Sequence, residues 1–228
     1  MQYTENELLE SDLTRRRIRQ LQDNPIQGKY DIAHLKETHR YIFQDLPKAG
    51  LWDYDVQPGE FRQEASGWHK GRVLESLRGA DGNPPDVSMS VYSRMDSKAI
   101  AKLRTVLEGA KPENFKVLDK KAFAEKISTL YHDLDYLHPF REGNSRTLRT
   151  FTEQIAREAG YKMNWQNLNS QANRDLLFIA RDRGLTERAL RDKDWHTEEK
   201  DIARYDANRH RIYPNLSQLL EKTVEKIR

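Results

Sequence analysis

Residues 138–149 read His138-Pro139-Phe140-Arg141-Glu142-Gly143-Asn144-Ser145-Arg146-Thr147-Leu148-Arg149. His138 titrates near neutral pH in its ordinary state, so it suits general-base work. Glu142 is a poor phosphate partner but a good ligand for Mg²⁺, which prefers a carboxylate together with phosphate oxygens and water. Gly143 and Asn144 are the two residue types that most easily take positive φ, and they mark a tight turn. Arg146 and Arg149 are three apart and project from one face of a helix. Two cations at a helix start oppose the dipole, which is intelligible when a polyanion sits between them. Together these are parts for holding a magnesium-bound nucleoside triphosphate and taking a proton from an attacking hydroxyl.

Two helices must position this loop. After the turn, Leu148, Phe151, Ile155 and Ala159 recur at steps of three and four, and Gly160 is a helix stop. Gly143, Asn144 and Ser145 therefore sit where a loop enters a helix, with free N–H groups and the positive dipole end forming an anion site. Before the loop, the pattern predicts a helix over 119–137, capped by Asp119, with Phe123, Ile127, Leu130, Tyr131, Leu134 and Leu137 on one face. Further helices are predicted over 32–46 (ended by Pro47), over about 96–109 (capped by Asp96), after Ser170, and over about 215–228.

Residues 48–93 differ from the rest. They hold Gly50, Pro58, Gly59, Gly67, Gly71, Gly79, Gly82, Pro84 and Pro85, and the turn signal Asp81-Gly82-Asn83-Pro84-Pro85. Arg72-Val73-Leu74 and Ser88-Met89-Ser90-Val91-Tyr92 read as the two arms of a hairpin. No internal repeat or low-complexity tract is found.

The chain has 228 residues, no cysteine and a formal net charge of +3 with 33% charged residues. Disulfides and cysteine-ligated metals are excluded. Acidic and basic residues nearly balance, so a nucleic-acid partner is not expected. The run Arg15-Arg16-Arg17-Ile18-Arg19 reads as a solvated helix face, with a patch for an acidic partner or nucleic acid as the alternative. The sequence shows no long apolar stretch and no signal-peptide core, which predicts a soluble cytoplasmic protein with no membrane partner. Export into a host cell would use another signal.

Residues 138–149 resemble the signature of the Fic family, His-Pro-Phe-x-Asp/Glu-Gly-Asn-Gly-Arg-x-x-Arg. Only Ser145 departs, standing where the family usually has Gly. Residues 34–46 look like the family's upstream helix, and Pro58-Gly59-Glu60-Phe61-Arg62 like a variant of its Trp-Ala-Gly-x-x-Arg segment. The resemblance covers about residues 30–165. It implies a mainly α fold, a Fic-like helical bundle with a β-hairpin flap within roughly 63–93. The expected layout is an N-terminal helical extension at 1–30, a core at 31–165, and C-terminal helices at 166–228 completing the same domain.

The resemblance implies transfer of AMP from Mg-ATP to a Ser, Thr or Tyr hydroxyl of a target protein bound along the flap. His138 would deprotonate the hydroxyl, and Glu142 would hold Mg²⁺. Gly143, Asn144 and Ser145 would line the phosphates with backbone and amide donors, and Arg146 and Arg149 would take the β- and γ-phosphates. Doc relatives carry Lys at position 145 and lack the second arginine, so Arg149 favours AMP transfer. Transfer of UMP, phosphocholine or phosphate is an alternative, as is a non-catalytic binding module. Many family members are bacterial toxins held off by a Ser/Thr-x-x-x-Glu-Gly/Asn helix, in the chain itself or in an antitoxin. Ser217 and Glu221 fit that pattern except that Lys222 closes it, which leaves a separate antitoxin as the other source.

Overall fold

The computed structural model describes residues 4–52, 56–63, 68–74, 86–168, 173–193, 200–201, 203–204 and 211–227. The turn expected at 81–85 lies outside them.

Helix α1 spans Glu5–Asp23 and opens on a capping box made by Thr4 and Glu7. Helix α2 spans Ile32–Phe43, with Asp31 accepting from the His34 N–H. It stops three residues short of the expected end at Leu46. Pro47 disfavours helical geometry at the residue before it, and the chain tightens so that the Leu46 N–H bonds back to the Phe43 carbonyl.

Strands β1 (Trp68–Leu74) and β2 (Asp86–Tyr92) pair antiparallel, with Gly71 opposite Met89 and Trp68 opposite Tyr92. This is the hairpin expected from the sequence, with both arms a few residues longer. Helix α3 (Ser97–Glu108) is capped by Asp96 and buries Ala99, Leu103 and Leu107. A short turn of helix, α4, covers Glu113–Lys116.

Helix α5, Lys120–Leu137, is the centre of the molecule. Asp119 caps it, and Phe123, Ile127, Tyr131, Leu134 and Leu137 are fully buried. Helices α3, α6, α8 and α9, and strand β2, all pack on it. Helix α6 (Asn144–Glu158) buries Leu148, Phe151 and Ile155, and Gly160 follows it at φ 83° as a stop. Helices α7 (Trp165–Leu168), α8 (Arg174–Arg191) and α9 (Leu216–Thr223) complete the described helices.

The chain end corrects one expectation. The helix expected over 215–228 ends at Thr223. Val224 is extended and buried, and β4 (Glu225–Lys226) pairs antiparallel with β3 (Tyr161–Lys162). The side chain of Tyr161 stacks on Phe123, so this ribbon ties the chain end to the base of α5.

Candidate active site

His138 is the C-cap of α5 and lies in the left-handed region at φ 44°, ψ 58°. A histidine there stores strain and needs support from its surroundings. Arg62 supplies it. This buried arginine donates from Nε to the His138 carbonyl at 2.7 Å and from Nη2 to the carbonyls of Ser93 and Leu137, while its own N–H bonds the Pro139 carbonyl. The segment 58–62, matched only loosely at the sequence level, is thus the brace of the His138 loop.

The ring of His138 is nearly buried and lies 3.9 Å, centre to centre, from that of Tyr92 in β2. Its Nδ1 faces the Asp135 carbonyl at 3.3 Å and the Asp135 carboxylate at 3.7 Å. Both are acceptors, so Nδ1 carries the proton and Nε2 is left as the basic nitrogen. Burial lowers the ring's pKa, and the Asp135 carboxylate opposes that shift.

The loop itself is held by side chains. Asn144 is buried, and its amide closes on the Phe140 backbone in both directions: it accepts from the N–H at 2.9 Å and donates to the carbonyl at 2.6 Å. The amide thus pins the loop, using its oxygen and one of its two N–H donors on Phe140. His39, met in the sequence only as part of the α2 stripe, stacks on Phe140 at 3.9 Å. Its Nδ1 accepts from the Gly59 N–H, so its Nε2 donates to the Glu142 carbonyl at 2.9 Å. Burial pushes its pKa down to about 4, which keeps it neutral in this role.

Gly143 sits at φ 77° as the N-cap of α6. A Cβ there would meet the Phe43 ring at 2.4 Å, so glycine is needed for both conformation and space. The first helical bond runs from the Thr147 N–H to the Gly143 carbonyl. The N–H groups of Asn144, Ser145 and Arg146 have no acceptor among the described residues. They form an anion-binding helix start. Ser145 is helical, so its Cβ is accommodated, and its carbonyl accepts from Arg149 Nε at 3.1 Å. Arg149 makes no ion pair among the described residues.

Arg146 is already engaged. Its guanidinium pairs with Glu10 of α1 at 2.5 Å, bonds the Thr14 hydroxyl at 3.2 Å and lies over the Phe43 ring. No N-terminal glutamate was expected at the site, because residues 1–30 lack the inhibitory spacing. Ser217 and Glu221 are not brought to the loop. Ser217 bonds Asn215 within the α9 cap. Glu221 lines a separate cleft with Lys120, Arg183 and Lys222. Lys120 starts α5 and His138 ends it, and 18 residues separate the two by about 27 Å.

Glu142 is exposed and lines a 310 Å³ pocket with His39, Gln57, Phe61, Arg62 and Arg141, beside the helix start. No cluster of three or more metal-ligating side chains occurs among the described residues. One exposed carboxylate next to a phosphate site fits Mg²⁺ brought in with a nucleotide, since that ion takes most of its ligands from phosphate and water.

A helix that runs into a histidine loop, followed by one that starts at an anion-binding turn, defines the site of this mainly helical domain. The chain belongs to the Fic/DOC family, whose model matches residues 29–156. It is 29% identical over 173 residues to the protein adenylyltransferase VbhT of Bartonella schoenbuchensis, covering 71% of this chain and 30% of that protein. It is 27% identical over 142 residues to the probable protein adenylyltransferase Fic of Escherichia coli K12, covering 62% of this chain and 57% of the relative. The matched region is therefore less than two thirds of either relative.

Solved structures share the fold. The N-terminal Fic domain of a VirB-translocated Bep effector protein from Bartonella quintana, with bound ADP, gives a TM-score of 0.62 at 18% identity, over 98% of this chain and 86% of that one. BepC from Bartonella tribocorum, with bound AMPPNP, gives 0.60 at 15% identity, over 98% and 88%.

Proposed function

We propose that this chain is a protein adenylyltransferase that moves AMP from Mg-ATP to a hydroxyl of a target protein. The observation that carries the reading is the placement of His138, whose Nδ1 faces two acceptors and leaves Nε2 as the basic nitrogen, beside the anion-binding helix start at Gly143. The names of the curated relatives and the nucleotides in the related structures support it.

In the proposed reaction, the target oxygen attacks the α-phosphorus while His138 Nε2 takes its proton. The bond between that phosphorus and the bridging oxygen breaks, and pyrophosphate leaves. The N–H groups of residues 144–146 and the guanidinium of Arg149 hold the phosphates in line, and such preorganised donors are the main source of rate in phosphate chemistry. Glu142 would hold Mg²⁺, which offsets phosphate charge when bound. The β1–β2 hairpin has an outer edge on each strand and offers the target backbone a place to add as a strand.

The work requires ATP, so the site of action is a cytoplasm, that of the producing cell or of a cell the protein enters. No described helix is long and apolar enough to cross a membrane. An antitoxin that reached Arg146 would have to replace Glu10.

Incubation with α-labelled ATP and lysate tests the reading. Label should appear on protein, and His138→Ala should reduce it by about two to four orders of magnitude while ATP still binds. Near-normal labelling by that variant would sink the mechanism. Label from γ-labelled ATP, UTP or CDP-choline instead would redirect it to another transferred group.

A further inference from the structure

We propose that Asp135 and Arg181 are positioning residues, a buried ion pair that orients the His138 ring from behind and joins it to the phosphate turn. The inference rests on the reading of His138 as the base. Neither residue belongs to the 138–149 stretch, and Arg181 comes from a different helix, α8.

Asp135 is fully buried, and Arg181 nearly so. The carboxylate accepts from Arg181 Nε at 3.0 Å and from Nη2 at 2.8 Å and 3.1 Å, a two-pronged contact. The same carboxylate lies 3.7 Å from His138 Nδ1. The remaining nitrogen, Nη1, stands 3.5 Å from the Ser145 hydroxyl at the start of α6. One guanidinium therefore spans the carboxylate behind the base and the residue that departs from the family's usual glycine. The guanidinium also rests over the Tyr131 ring, 5.6 Å from its centre, which fixes its plane. Burial works against the Asp135 charge, yet Arg181 and His138 hold its pKa well below the ordinary carboxylate range.

The arrangement performs two tasks. A carboxylate at Nδ1 selects the tautomer with the proton on that nitrogen and steadies the imidazolium that forms when Nε2 takes a proton. Left alone, however, a buried carboxylate would pair fully with the ring and trap it protonated. Arg181 balances that charge. The charged and titratable groups facing His138 are Asp135 from its own helix, Arg181 from α8, Arg62 from the 56–63 segment and Tyr92 from β2.

The two halves of the pair predict opposite shifts. Asp135→Asn leaves Arg181 uncompensated beside the ring, so the His138 pKa falls and the acid limb of the labelling rate moves to lower pH. Arg181→Met leaves Asp135 free to close on Nδ1, so the His138 pKa rises and the limb moves to higher pH, by a unit or more. Either single change isolates a buried charge and can unfold the protein. The double variant Asp135→Asn/Arg181→Met removes both charges and should fold. Its kcat should drop roughly ten- to a hundredfold, the range typical of lost orienting partners, while KM for ATP changes less than about threefold.

NMR titration of the His138 ring in the folded variants reads tautomer and pKa without any activity. Shifts of the two single variants in the same direction, or a double variant with unchanged kcat and an unchanged Nδ1–H tautomer, overturn the proposal. If His138→Ala keeps its labelling, the base reading fails, but the ring titration still decides whether the pair orients it.

Discussion

At the scale of single residues, the site depends on two backbone positions with positive φ, His138 and Gly143. Gly143→Ala combines a left-handed alanine, costing about 1–2 kcal/mol, with a Cβ placed inside the Phe43 ring. The melting temperature should fall by at least about 3 °C, and ATP binding should weaken. Adding Phe43→Leu should recover part of the stability, because it relieves the contact and not the backbone strain. Calorimetry of the single and double variants checks this. The places of His138 at a helix end, Gly143 in the turn and Arg149 on the following helix could be read from residue type and spacing. The clasp that Asn144 makes on the Phe140 backbone could not, because it forms only once the loop has closed. His39 was hidden for a related reason. Its position on the apolar stripe of α2 looks like ordinary core, and both of its partners come from segments distant in sequence.

At the scale of elements, helix α1 reaches the site and helix α9 does not. The Glu10–Arg146 pair is partly buried, and a pair of this kind contributes about 0.2–1 kcal/mol, a factor of up to about five. Glu10→Gln should therefore tighten binding of a non-hydrolysable ATP analogue about two- to fivefold. Glu221→Gly should leave that affinity unchanged. Isothermal titration distinguishes the two, and the reverse ranking would return the control of the motif arginines to α9. Helices were legible where an Asp cap precedes an apolar stripe, as at Asp96 and Asp119; the Asp31 cap of α2 was not singled out. The end of the chain was not legible. The residues after Thr223 continue a plausible helix by composition, and what draws Val224 out straight is pairing with Tyr161 and Lys162, over sixty positions away.

At the scale of the whole molecule, four of the histidines among the described residues are buried, and burial favours their neutral form. Burial lowers the pKa of His34 and His138, and pushes His39 to about 4 and His132 to about 3. A histidine with a depressed folded pKa takes up its proton more readily when unfolded. The stability it contributes is therefore complete above about pH 6.5 and is lost as the pH falls towards the folded value. Each such group costs up to about 1.4 kcal/mol per pH unit within that window. The melting temperature should fall steadily from pH 7 to pH 5, before the ordinary carboxylates titrate. A flat profile over that range would contradict the neutral assignment of these rings. The sequence shows seven histidines, but only the fold separates buried ones such as His39 and His132 from the exposed His69. Gly184, for instance, clears the space in which the His132 ring lies.

The contact between α1 and Arg146 also sets up a thermodynamic exchange. On the proposed reading a nucleotide phosphate would claim the guanidinium that Glu10 holds, so docking of α1 and occupancy by ATP would oppose one another. Such coupling is reciprocal: the factor by which seated α1 weakens ATP is the factor by which ATP loosens α1. The coupling is bounded by the worth of that one ion pair, about 1 kcal/mol or a fivefold factor at most, while α1 keeps its buried Leu21 against α2 whichever partner Arg146 takes.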